Sequence, residues 1–284
     1  MRNDFVAVSL ALVAVPSILW PAPASALSIS TVGINLYSGN GGGAPNLVNS
    51  DADANNAGSK ASSYGWNWAF ANNDSNAWGG IYANSGYGGV NTQDMHYYSG
   101  HGNDLGPFLG DGASYSDCPN GGPCLTTVPP NYNWSLDRLK WIAANACEWL
   151  YDGITTNSPP NWSALSPWYH VFNPSDGNPN GSLHAVLAAR SETWDVTGMG
   201  SGYMDATLGW QGESAGQGWF DTMWWQMYFY PHSPGVEPAV LDAYQSSTGA
   251  DWFNESLKSP WPDPDCCGSV EYNYHWDWIG TPSF

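Results

Sequence analysis

The chain has 284 residues, and the abundance of Trp (18), Tyr (16) and Gly (33) excludes a disordered tail, a collagen and a coiled coil. A chain of this length can bury a sizeable core and favours one domain over two equal ones. The 25 acidic residues against 6 basic ones give a net charge of −19, which argues against binding to nucleic acid or to an anionic membrane.

Residues 1–26 have the features of a secretory signal peptide. Arg2 precedes an apolar stretch over residues 5–20, and Ala24-Ser25-Ala26 is a typical cleavage site. A retained membrane span is the weaker alternative, because the stretch is short and contains Pro16. We therefore expect a secreted, extracellular protein in which residues 27–284 form a single domain, with no membrane association after cleavage.

Strand and helix patterns alternate along the mature chain, which predicts an α/β fold with long Gly- and Pro-rich loops. The predicted helices have Ala-rich or amphipathic sequences and cover residues 49–63, 163–172 and 214–230. The predicted strands are β-branched, aromatic or apolar runs at residues 28–39, 94–98, 141–144, 183–189, 239–245 and 270–278. A helix fits the 136–150 segment almost as well as a strand.

Export permits disulfide bonds, and the chain contains five cysteines. Cys118 and Cys124 flank a Pro-Asn-Gly-Gly-Pro loop that can bring its two ends together. Cys266 and Cys267 are adjacent, so they form a strained vicinal bridge or pair elsewhere. An odd count leaves one cysteine unpaired, and Cys147 has the most apolar surroundings.

His101 and Cys147 each follow a predicted buried strand. A cysteine nucleophile reacts as the thiolate, which a neighbouring imidazole can promote. If the two strands are adjacent and parallel, their carboxyl ends open into one crevice, where α/β sheets usually place active sites. Gly102 lets a backbone N–H stabilise negative charge on a substrate carbonyl, as part of an oxyanion hole.

Two motifs resemble the caspase, gingipain and legumain clan of cysteine peptidases. They are aromatic-aromatic-Ser-Gly-His-Gly at residues 97–102 and apolar-Asn-Ala-Cys-Glu at residues 142–148. The caspase histidine lies about 50 residues upstream of its cysteine. Here the two residues are 46 apart (147 − 101).

The resemblance implies a caspase-like, mostly parallel sheet flanked by helices. It makes His101 the catalytic histidine, Cys147 the nucleophile and the amides of Gly102 and Cys147 the oxyanion donors. It also implies a peptide or protein substrate and no cofactor. The clan usually has a small residue where this chain has Trp149, so we expect a bulky side chain to narrow the site.

Other interpretations of these residues stay open. Cys147 is alternatively an inert buried thiol, which makes the chain a non-catalytic binding or scaffold protein on the same fold. Asp94 and Glu148 are candidate substrate-binding residues in a specificity pocket, although carboxylates of this kind are more often simply solvated.

The abundant tryptophans suggest a glycan-binding surface as a further alternative, because flat aromatic rings stack on sugars. The candidates are Trp66, Trp68, Trp78, Trp219, Trp224, Trp225, Trp276 and Trp278. No metal is expected, because the segment beginning at Asp51 lacks the EF-hand glycine and glutamate, and the histidines other than His101 show no zinc spacing.

Overall fold

The computed structural model describes residues 26–37, 44–77, 80–83, 89–103, 106–108, 138–153, 160–172, 183–228, 235–245, 249–261 and 271–277. The predicted signal peptide lies outside these ranges except for Ala26. The four cysteines predicted to form disulfides, Cys118, Cys124, Cys266 and Cys267, also lie outside them, so their pairing stays a prediction. Within the described ranges, no helix combines the length and apolarity needed to span a bilayer.

The described ranges contain ten strands and five α-helices. The strands are β1 (Ser28–Gly33), β2 (Asn67–Asn73), β3 (Met95–Ser99), β4 (Gly102–Asn103), β5 (Gly106–Pro107), β6 (Trp141–Asn145), β7 (Ala185–Ala189), β8 (Pro238–Gln245), β9 (Ala250–Asp251) and β10 (Glu271–Trp276). The helices are α1 (Ser50–Ser63), α2 (Gly80–Ala83), α3 (Trp162–Phe172), α4 (Met199–Leu208) and α5 (Ala215–Tyr228).

The central sheet has the strand order β10-β8-β7-β6-β3-β1-β2. The five strands from β2 to β7 in this order pair in parallel. Strand β8 is antiparallel to β7 and to β10, and β9 pairs with the end of β8. Strands β4 and β5 form a separate two-stranded sheet. The predicted α/β fold with a mostly parallel sheet flanked by helices is confirmed.

Every residue of β1, β3, β6 and β7 is buried. Strands β6 and β7 are accordingly almost continuously apolar, whereas β1 also buries the side chains of two serines and a threonine. Alternate side chains nevertheless go to opposite faces of the sheet. In β6, Ile142 belongs to a core cluster that includes Trp168 of α3, whereas Trp141 belongs to a cluster that includes Ala57 of α1 and Trp219 of α5. Helices therefore cover both faces.

Helix α4 is an element that the sequence did not predict, because its two glycines give it a poor helix propensity. Gly200 allows α4 to pack closely against α1. A Cβ on Gly200 would lie 2.6 Å from the Cβ of Ala57 and 2.9 Å from the carbonyl oxygen of Asp53. Close contact between α4 and α1 therefore outweighs local propensity. The short helix α2 was also not predicted.

Candidate active site

The pairing register brings His101 and Cys147 to the same level, just beyond the carboxyl ends of two neighbouring strands. Strands β3 and β6 are adjacent and parallel, with Ser99 opposite Asn145. The amide of Gly100 continues this pairing by donating to the carbonyl of Asn145 at 3.2 Å. His101 and Cys147 each lie two residues beyond the Ser99–Asn145 pair. The expected adjacency of the two strands is confirmed.

Both side chains line a single cleft of about 50 Å³. The lining residues are Leu47, Ser50, Gly100, His101, Asn145, Cys147, Thr193, Trp194 and Asp195. Because a water molecule takes up about 30 Å³ in the liquid, this cleft accommodates a small group such as a carbonyl.

The hydrogen bonds of His101 fix its orientation and its tautomer. Its Nε2 lies 2.8 Å from the carbonyl oxygen of Pro45, which can only accept. In the neutral ring the proton therefore resides on Nε2, and Nδ1 is the nitrogen that can accept a proton. The amide of His101 donates to the Tyr37 hydroxyl at 2.9 Å, and the two rings meet edge to face at 4.7 Å. The ring is thus held as an oriented base.

Cys147 is a half-buried free thiol that interacts with Thr193. The Thr193 amide donates to Sγ at 3.4 Å, and Sγ lies 3.8 Å from the Thr193 carbonyl oxygen. Burial raises the pKa of Cys147, the bonds to Thr193 oppose this rise, and the nearby charges of Glu192 and Glu148 add to it. The sequence led us to expect a thiolate promoted by His101. Burial and the two carboxylates act in the opposite direction, because they disfavour the anion.

Trp149 does not narrow the cleft, so that expectation is wrong. Glu148 has a φ of 57°, and this left-handed turn accompanies the entry of the next side chain into the core. Trp149 is fully buried and stacks on Tyr98 and Trp168, with ring centroids 5.4 and 5.8 Å away. A Cβ on Gly102 would lie 2.3 Å from Nε1 of Trp149. The absence of a side chain at Gly102 therefore leaves room for the Trp149 indole. The role of Gly102 as an oxyanion donor stays a prediction.

The structure separates Asp94 from the cleft, which corrects its assignment to a specificity pocket. Asp94 precedes β3, at the end of the strand opposite to His101. It accepts bonds from the amide and hydroxyl of Ser28 at 2.7 and 2.9 Å and pairs with Arg138 at 2.7 Å. These bonds join the beginnings of β1 and β3. Glu148 stays beside Cys147, but it is not among the residues that line the cleft.

Asp195 is a site residue that sequence reasoning missed. Its carboxylate accepts from the amide of Val48 at 2.6 Å, from the amide of Asn49 at 3.0 Å and from the hydroxyl of Ser50 at 2.9 Å. It therefore caps α1, whose own N-cap residue makes no side-chain capping bond. The Asn-Ser sequence indicates only that a helix starts here. No local pattern indicates that the residue capping this helix lies 146 residues away.

A buried polar network lies beneath the cleft and was also missed. Asn145 donates through Nδ2 to Asp53 at 3.4 Å and to the carbonyl of Trp194 at 3.3 Å. Asp53 also accepts from the Tyr97 hydroxyl at 2.6 Å and from the Gly200 amide at 2.9 Å. Burial raises the pKa of Asp53 to about 6. The network joins α1, β3, β6 and α4 beneath His101 and Cys147.

A larger cleft of about 270 Å³ lies between α4 and α5 and shares no lining residue with the first. Trp225 lines it together with Asp205, Glu213, Asp221 and Gln226. Among the candidate sugar platforms, Trp66 and Trp219 are buried, whereas Trp224 and Trp225 are exposed. Trp78 and Trp278 lie outside the described residues.

The fold and cleft define an α/β protein with a histidine and a free cysteine at the ends of neighbouring parallel strands. The sequence matches the family described as a domain of unknown function (DUF6345) over residues 31–276, and the chain belongs to this family. No curated protein sequence matches the chain. Among solved structures, protein GSU0716 from Geobacter sulfurreducens aligns with a TM-score of 0.47 and 14% identity, covering 82% of this chain and 99% of that chain.

Proposed function

We propose that this protein is a secreted cysteine endopeptidase that hydrolyses peptide bonds with a dyad of His101 and Cys147. The observation that carries the proposal is the convergence of an oriented imidazole and a free thiol in one cleft, each two residues beyond a paired strand end. The resemblance of residues 97–102 and 142–148 to the caspase, gingipain and legumain clan supports the same roles. The cleft is also open enough to leave the thiol partly exposed.

In the first half of the proposed reaction, Nδ1 of His101 takes the proton from Sγ of Cys147 while the sulfur attacks the scissile carbonyl. Because the pKa of the resting thiol is raised, this proton transfer accompanies attack on the bound substrate rather than preceding it. The C–N bond breaks, His101 returns the proton to the leaving amine, and a thioester to Cys147 remains. Gly102 and Cys147 are the proposed oxyanion donors.

In the second half, a water molecule attacks the thioester and His101 accepts its proton. The sulfur leaves and recovers a proton, which regenerates the thiol. The Pro45 carbonyl serves both halves, because its bond to Nε2 keeps Nδ1 directed and stabilises the imidazolium that forms. These steps require no cofactor.

The test is cleavage of a diverse peptide library by the untagged mature protein, with products identified by mass spectrometry. Cys147→Ala and His101→Ala are expected to abolish cleavage while circular dichroism stays unchanged. Lys60→Ala is the control, because Lys60 lies on the surface of α1 and, among the residues that the structure describes, forms an ion pair with the exposed Asp205. Cleavage that persists in Cys147→Ala would overturn the proposal.

A second candidate function is a non-catalytic, glycan-binding protein on the same fold. The favouring observation is the cleft of about 270 Å³, which combines an exposed indole at Trp225 with the hydrogen-bonding side chains of Glu213, Asp221 and Gln226. Sugar rings stack on aromatic faces and bond to carboxylates and amides. This function predicts retention on polysaccharide columns that Trp225→Ala abolishes and Cys147→Ala leaves intact.

A further inference from the structure

We propose that Asp242, Asp251 and His275 form a binding site for a divalent transition metal ion of the Zn²⁺ class. The site lies where β8, β9 and β10 meet, and no residue of the dyad cleft takes part in it. The proposal is independent of the peptidase proposal.

The strand register places the three side chains on one face of the sheet. Residues directly opposite each other in paired strands share a face, and so do residues two apart in one strand. Asp242 is opposite Asn273 of β10, and His275 is two residues beyond Asn273. Tyr244, two residues beyond Asp242, is opposite Asp251 of β9. Three separate strands therefore direct two carboxylates and an imidazole to the same place.

The distances between the ligand atoms suit a small cation. Nε2 of His275 lies 3.2 Å from Oδ1 of Asp242 and 4.0 Å from Oδ1 of Asp251. One ligand atom from each of the three residues lies within 4.8 Å of the other two. Ligands at about 2.0–2.1 Å from a tetrahedral Zn²⁺ lie about 3.3 Å apart. The first pair already has this spacing, and the half-buried Asp251 lies farther from His275, at 4.0 Å.

Among the described residues, two of the polar atoms at this place, one on Asp242 and one on His275, form no hydrogen bond. Asp242 is fully buried, and its Oδ2 lies 3.3 Å from the amide of Phe253. Within the described part of the chain, Oδ1 of Asp242 and Nε2 of His275 take part in no hydrogen bond, and they meet only as an ion pair at 3.2 Å. An unsatisfied buried carboxylate oxygen is costly. A cation between the two atoms would satisfy both at once.

Neighbouring groups hold the three ligands in position. The ring of Phe253 packs on the imidazole of His275 at 4.3 Å. Asn254 donates through Nδ2 to Oδ2 of Asp251 at 3.2 Å, and the Phe253 amide donates to Oδ1 of Asp251 at 3.1 Å. Such supporting contacts orient the ligands in metal sites. His275 as a whole is only partly buried, with 32% of its side chain exposed.

The ligand set selects the class of metal. Ca²⁺ takes six to eight oxygen ligands, whereas this site offers two carboxylates and an imidazole. Imidazole together with carboxylate suits Zn²⁺ and its transition-metal neighbours, and three protein ligands leave one tetrahedral position for water. The sequence predicts no metal here, because its three ligands are spread over residues 242–275 and follow no local spacing rule.

The test is calorimetric titration of ZnCl₂ into the metal-free, untagged mature protein. We expect one ion per chain with a micromolar or tighter Kd, a Tm that rises with zinc, and much weaker binding of Ca²⁺. His275→Gln and Asp242→Asn should each weaken zinc binding at least about tenfold. His275→Gln keeps the test decisive if Asp242→Asn does not fold, because His275 is partly exposed.

Two control variants separate this site from others that could bind zinc. Cys147→Ala removes the thiol of the dyad cleft, and Asp221→Asn removes a carboxylate of the α4–α5 cleft. Both should bind zinc like the wild type. Absence of zinc binding, or binding that His275→Gln leaves unchanged, would overturn the proposal and make the cluster an ion pair between His275 and its carboxylates. Neither result bears on peptide cleavage.

Discussion

The contact between Gly102 and Trp149 gives the sharpest test of how the dyad is supported. In Gly102→Ala the new Cβ would lie 2.3 Å from Nε1 and 2.4 Å from Cδ1 of the Trp149 indole. Ordinary contacts between such atoms are about 3.5–4.0 Å, so the overlap exceeds about 1 Å. Gly102 has no positive φ, so the effect would come from packing rather than from backbone strain.

Trp149 cannot easily move aside, because it is fully buried between the rings of Tyr98 and Trp168. Overpacking of a core costs about 1–3 kcal/mol, and this overlap places Gly102→Ala near about 3 kcal/mol. For a domain of this size, that loss lowers the Tm by roughly 6–12 °C.

The assay is urea unfolding followed by tryptophan fluorescence, with a thermal scan beside it. The matched control is the double-mutant cycle with Trp149→Phe, whose smaller ring should relieve the overlap. We expect the penalty of Gly102→Ala to shrink by at least about 1 kcal/mol in the Trp149→Phe background. A Gly102→Ala protein within about 0.5 kcal/mol of wild type, or equal penalties in both backgrounds, would refute this packing argument.

Three further predictions concern the surroundings of the cleft. The pKa of Asp53 is raised in the folded state, so its protonated form is favoured there, and its contribution to stability should fall by up to about 3 kcal/mol as the pH rises from about 4 to about 6. Asp53→Asn should remove that fall, and urea unfolding at each pH would show parallel curves if the reasoning were wrong. Asp195→Ala should cost about 1–2 kcal/mol in urea unfolding, because three donors at the start of α1 lose their acceptor, whereas an unchanged midpoint would contradict the capping role. Iodoacetamide should label Cys147 in the native protein with a pH midpoint above the usual value of about 8.5, since the pKa of this thiol is raised, and a midpoint below it would contradict the direction of this shift.

Much of the fold could be predicted from the sequence, because several of the buried parallel strands are largely apolar or aromatic runs. Strands β3, β6 and β7 could be located without knowing which strands they pair with. Helix α4 could not be found in this way, because Gly200 lowers its propensity while allowing the close contact with α1 that stabilises it. That stabilisation exists only after the chain has folded.

The sequence predicted the part of the site that lies just beyond the ends of the predicted strands. His101 and Cys147 could be located because a parallel sheet brings the ends of neighbouring strands together. The cap provided by Asp195 and the cluster around His275 could not, because they join segments whose approach no local pattern specifies. The direction of the Trp149 side chain could not be predicted either, since it depends on the turn at Glu148.

Cys147 is proposed to act as a nucleophile assisted by His101, and trapping with a peptide electrophile is a direct test of this role. The native protein would be treated at pH 7 with a library of peptidyl acyloxymethyl ketones, and adducts would be mapped by mass spectrometry. We predict one adduct per chain, located at Cys147, absent in Cys147→Ala and formed much more slowly in His101→Ala. An adduct that forms on Cys147 only after denaturation, or at the same rate without His101, would contradict the account.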